Sequence, residues 1–267
     1  MFWAFMAALL AVPVGVFVIR PRLATLFNKD FQGVKIEAIV GPIITLTVFL
    51  AAFVVAQATQ TYQRAGQNAI GEANAVSLLS ENAGMLPDDR GQALQAASVC
   101  YARSVRHLEW KTMERGATSV ATDHWAQQFN LEVPKVLDGP GALVGQIVGL
   151  NRTQSEMREL RMYEASPHLP QTTIILMIAA VLLVILLLSS FAVADIRRRV
   201  LVPLSLVLAT LLGGTLYLVE QLEEPFSGII QVQPTLIKEV EQRMSVTFAT
   251  RYPNVELPCT ADGTPTA

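Results

Sequence analysis

A chain of 267 residues with 52% hydrophobic and 16% charged side chains, and a mean hydropathy of +0.40, carries too little charge for an ordinary soluble domain of its length. Its formal net charge of −2 gives no basic excess with which to hold nucleic acid. An integral membrane protein is the class that remains.

Uncharged residues run unbroken over 1–19, 38–63, 169–194 and 200–219, stretches of 19, 26, 26 and 20 residues. A helix needs about 20 residues to cross roughly 30 Å of hydrocarbon, so each run can span a bilayer. The first run has no basic residue before its apolar part and Arg20 and Arg22 just after it, which is the charge order of an outward-facing N-terminal anchor. The loop 20–37 has a net charge of +2, and the connector DIRRR at 195–199 adds another +2. Segments 64–168 and 220–267 carry −2 and −4. Positive charge in short loops stays in the cytoplasm, so both termini and the long middle segment are expected outside.

The expected fold is all-α. Spans lie at 1–19, 38–60, 171–194 and 200–219, with cytoplasmic loops at 20–37 and 195–199. A helical extracytoplasmic domain occupies 61–170, and a tail occupies 220–267. The second span continues outward on a stripe of Ile70, Ala73, Val76 and Ser80, and Pro87 breaks it. The next helix, 89–115, aligns Leu94, Ala97, Tyr101, Val105 and Leu108. A shorter helix covers 119–129, a loop covers LDGPGALVG, and a helix over 142–164 leads into the third span. Cys100 and Cys259 fall in the same extracytoplasmic space, where a disulfide between them can persist.

Small residues recur on one face of the spans, as in Gly41, Thr45, Val48 and Ala52 or, four apart, Ser205, Ala209 and Gly213, which suits close helix packing in a bundle or a homo-oligomer. The apolar runs contain no Asp, Glu, Lys, Arg or His, which argues against a proton relay through them, whereas an apolar or hydroxyl-lined pore stays open. Phe49 and Phe53, one turn apart, are candidates for its constriction.

No catalytic constellation emerges, and no cofactor or metal is called for. His107, His124 and His168 are too scattered for a zinc site, and Gly139, Gly141 and Gly145 precede no lysine of a phosphate loop. Ser227 has no histidine near it in sequence to activate it. Trp110 and Trp125 read as core residues.

The stretch LEEPFSGIIQVQP, 222–234, has the makings of a membrane exit. Glu220, Glu223 and Glu224 call for water or headgroups, Pro225 ends the helical ladder, Phe226 folds back, and Ser227 with Gly228 turns the chain. Pro234 then opens an amphipathic helix with Leu236, Val240 and Met244 on one stripe.

These residues carry a resemblance. EANA at 72–75, the Leu86–Pro87 turn, the Tyr101 and Trp110 helix, and above all LEEPFSG followed by QPTL resemble the bestrophin-like family of bacterial four-span membrane proteins. The resemblance implies a channel-like oligomer, since true bestrophins are pentameric anion channels. An accessory or scaffold subunit docking another envelope protein is the other reading that the outer helices and acidic tail allow. The acidic run that follows the motif in true bestrophins is missing here, and their large domain is cytoplasmic.

Overall fold

The computed structural model describes residues 37–86, 90–166, 170–191 and 198–266. The first span, most of the 20–37 loop, Pro87 and residues 195–197 of the DIRRR connector lie outside the described residues. Within them the chain is helical and contains no strand, only an isolated bridge between Cys259 and Pro265. The chain divides into two units, Met1–Gln60 with Leu169–Glu223, and Thr61–His168 with Glu224–Ala267.

One helix, α1 (Glu37–Gly84), runs through 48 residues, about 72 Å at the α-helical rise and far more than a bilayer needs. Its apolar part satisfies its own polar groups: the hydroxyls of Thr45, Thr47 and Thr59 donate to the carbonyls of Gly41, Ile43 and Val55 one turn back.

In the first unit, α6 (Gln171–Phe191) packs on α7 (Arg198–Glu223) through Val181, Ile185 and Ala209. Ala209 and Gly213, two of the small residues singled out on this span, are both buried. Among the described residues two helices, Gly41–Gly84 and Leu206–Glu223, are long and apolar enough to cross a membrane, and Thr172–Leu186 is a shorter apolar segment.

The second unit centres on α2 (Arg90–Ser104), which packs against α4 (Val120–Glu132) and α8 (Thr235–Arg251). Past Ser104 the helix continues through a π-turn, Val105–Glu109, into the short α3 (Trp110–Met113); the Trp110 N–H donates to the Val105 carbonyl, five residues back. This extra residue corrects the expected register. A regular 3.6 period would turn Leu108 inward with Leu94, Tyr101 and Val105, but the π-turn slips the face by one position, so Glu109 and Trp110 are buried and Leu108 is half-buried.

Two further expectations change. Ile70 is exposed, and Glu72 takes the inward place beside Ala73 and Val76. Helix α5 (Gly141–Glu164) does not run on into the third span: Ala165 and Ser166 close it in a turn, and α6 starts afresh at Gln171 after Pro170. Proline, which lacks the N–H that a continuing ladder needs, marks the break. IIQVQ forms bends without ladder bonds.

Candidate functional site

Three helices of the second unit turn charged groups inward. Helix α1 supplies Glu72, the end of the π-turn supplies Glu109, and α5 supplies Gln154, Arg158 and Arg161. On α5 the buried stripe runs Ile147, Gln154, Arg161, seven residues apart each time, so an apolar position is followed by two polar ones on a single face.

Arg161 is the centre, with 0% of its surface exposed. Its Nε donates to Glu72 Oε2 and its Nη2 to Glu72 Oε1 at 3.0 Å, a two-pronged grip on one carboxylate. The same Nη2 lies 2.6 Å from Glu109 Oε2, and Nη1 points at Met113 Sδ. Arg158 binds the other oxygen of Glu109 and reaches Asp123 at 2.6 Å. Tyr101 donates its hydroxyl proton to Glu72 Oε1 at 2.5 Å and accepts from Gln154 Nε2 at 2.6 Å.

The electrostatics follow from this pairing. Burial would push the Glu109 carboxyl up, but Arg161 and Arg158 beside it hold it below its ordinary value. Burial would likewise ease the proton off Arg161 and Arg158, and the facing carboxylates reverse this, so both cations are held more firmly than in water. Tyr101 is pushed well above its usual range by burial, and then by the charges of Glu72 and Glu109. The cluster therefore holds an ionised Glu109, saturated guanidiniums and a protonated phenol. It binds its parts together and presents no reacting group.

The network backs directly onto the PFSG turn. The Arg161 guanidinium lies 5.4 Å from the centre of the Trp110 ring. Trp110 meets Phe226 edge-on at 5.5 Å, and its indole N–H donates to the Val232 carbonyl at 3.2 Å. The Val232 N–H closes the turn on the Pro225 carbonyl at 2.7 Å, and Gly228 adopts φ +76°, which a side chain would strain. Phe226 is 1% exposed and sits in the core of this unit. Ser227 donates to Glu224 Oε2 at 2.8 Å at the surface. Met113, Arg115, Gly116, Ser166, Glu224 and Ser227 border a cavity of about 310 Å³ beside the turn.

Of the acidic residues expected in water at the exit, Glu224 and Glu220 are exposed but Glu223 is buried. A carboxylate tolerates burial only when it is partnered, so the span ends with one acid already folded inward. Phe49 and Phe53 lie exposed on the first unit, on the same side of α1 as Thr45 and Ala52. Cys100 and Cys259 are joined, their Cα atoms 5.8 Å apart. Glu72, Tyr101 and Trp110, scattered in sequence, meet around Arg161. Glu109, Gln154, Arg158 and Arg161 were not singled out by the sequence, although the seven-residue spacing of Ile147, Gln154 and Arg161 on α5 carried a signal for two of them.

Comparison with known proteins places this arrangement. The fold is similar to a bacterial bestrophin homologue from Klebsiella pneumoniae, at 12% identity and a TM-score of 0.72 over 93% of this chain and 99% of that one. Two mutant forms of the same homologue match at 14% identity, with TM-scores of 0.73 and 0.74 over 91% and 93% of this chain and 99% and 98% of theirs. No curated protein matches the sequence. The Bestrophin-like domain matches residues 6–237, most of the length, and the chain belongs to the bestrophin-like family.

Proposed function

We propose that the chain forms a non-enzymatic homo-oligomer in the plasma (inner) membrane with a channel-like permeation role, anions being the first permeants to test. The observation that carries this reading is the family match over residues 6–237, together with a bestrophin-homologue fold over nearly the whole chain. The single chain leaves Thr45, Phe49, Ala52 and Phe53 uncovered on α1, an apolar face with small residues that suits a neighbouring copy or a pore wall. The basic loops support four spans with both termini and the second unit extracytoplasmic, and the Cys100–Cys259 link suits an oxidising compartment.

Purified protein in a planar bilayer tests conduction, with oligomer size read in parallel by native mass spectrometry. Ion-selective currents that change in Phe49→Ala or Phe53→Ala support the channel. A silent bilayer with a stoichiometric envelope protein that co-purifies overturns it in favour of an accessory subunit. Sidedness is read separately in intact cells, where an impermeant thiol reagent should label Asp138→Cys and spare Ile196→Cys; the reverse pattern inverts the orientation.

A further inference from the structure

The last described residues, 258–266, form a strap without helix, held at several points on the second unit. Cys259 is bonded to Cys100 of α2. Arg103 Nη1 donates to the Thr260 carbonyl at 3.3 Å, and the buried Trp125 indole donates to the Gly263 carbonyl at 2.7 Å. Gly263 has φ +88° and lies so close to α2 that a Cβ there would fall 2.2 Å from the backbone nitrogen of Ser104. Thr260, Asp262 and Thr264 close the strap's own turn.

The strap thus lies directly against Ser104, the residue from which the π-turn departs. Five residues later that turn ends on Glu109, the carboxylate shared by Arg158 and Arg161, and the next residue, Trp110, holds Phe226 and Val232. A π-turn is a rare one-residue insertion in an α-helix. Its relaxation to a regular helix, once the strap let go of Ser104, would withdraw Glu109 from Arg161 and Trp110 from the PFSG turn.

We infer that the Cys100–Cys259 link is a thiol–disulfide exchange site for an extracytoplasmic dithiol reductant, and that opening it loosens the π-turn and, through Trp110, the PFSG turn. In the first step a reductant thiolate attacks Cys259 Sγ, the more exposed of the two at 7% against 0%. The S–S bond breaks, and Cys100 leaves as a thiolate and takes a proton. In the second step the reductant's other thiol, as thiolate, attacks its own sulfur in the mixed disulfide. Cys259 is released and protonated, and the reductant leaves as a cyclic disulfide. Arg103 Nη1, 4.0 Å from Cys259 Sγ, stabilises the thiolate expelled in that step, which speeds resolution. The inference needs the second unit to face outward, but it does not need the assembly to conduct.

Hydrogen exchange of the full chain in lipid nanodiscs, oxidised and after treatment with dithiothreitol, tests it. The bond should reduce without denaturant, and Arg103→Gln should slow resolution of the mixed disulfide severalfold. Exchange should rise at least tenfold in 258–266, 104–113 and 225–232, while 141–150 stays unchanged. Cys259→Ser should show the reduced pattern without dithiol; should that variant fail to fold, the oxidised and reduced wild type decides alone. Reduction only in denaturant, or a loosened strap with 104–113 or 225–232 unchanged, overturns the inference.

Discussion

Replacing Arg161 with methionine, which keeps the length of the stem and removes the charge, leaves Glu72 at 1% exposure with only the Tyr101 hydroxyl. Glu109 retains Arg158. Breaking a buried pair from one side costs about 3–5 kcal/mol. Arg161→Met should therefore lose about 3–5 kcal/mol at pH 7. Adding Glu72→Gln should recover part of the loss, because no unpaired charge is then left at that site. Unfolding of the four proteins of this cycle, followed by intrinsic fluorescence in nanodiscs, measures each quantity. A loss below about 1 kcal/mol, typical of exposed pairs, or no recovery in the double variant, would refute the assignment of Arg161 as a buried counter-ion.

Glu109 makes the wild type acid-sensitive: Arg161 and Arg158 hold its carboxyl below its ordinary value of about 4.5, so its stabilising contribution is complete above that value and is lost as pH falls through the depressed one. Thermal midpoints should therefore drop on acidification below about pH 4.5, and Glu109→Gln should flatten the drop. Phe226→Ala should cost about 3–4 kcal/mol in unfolding assays, Gly228→Val about 1–3 for its strained φ, and Ser227→Ala within about 0.5, since that hydroxyl is at the surface. The link between Cys100 and Cys259 closes a loop with a sequence separation of 159 residues. Removing it should cost up to about 5 kcal/mol on the chain-entropy account, read as the shift in denaturant midpoint between oxidised protein and Cys259→Ser.

The helices were legible because their signals are additive along the chain: unbroken apolar runs, proline breaks and the stripe of Leu94, Ala97 and Tyr101 each point the same way. The PFSG turn was legible too, since proline and glycine at fixed offsets leave few backbone choices. The π-turn was not. It changes the period by one residue over a single turn, and a reading that assumes 3.6 carries on through it and turns Leu108 inward in place of Glu109. The inward arginine was hidden by a different assumption, that charged residues mark the wet face. On α5 this fails because the cost of burying Arg161 is offset by partners on two other segments, 89 and 52 residues away in sequence. No local pattern encodes such a pairing.

Those partners give a physical reason for several of the residues that carry the resemblance. Glu72 of EANA, Tyr101 and Trp110 have no feature in common until Arg161 brings them together, and then each has a different role: one neutralises the cation, one links that carboxylate to Gln154, and one covers the cation's face while gripping Phe226 and Val232. The PFSG turn, directly after α7, is therefore fixed by its own residues and also, through Trp110, by a cation on another helix. A substitution at Arg161, about 65 positions before that turn, should disturb it as surely as one within it.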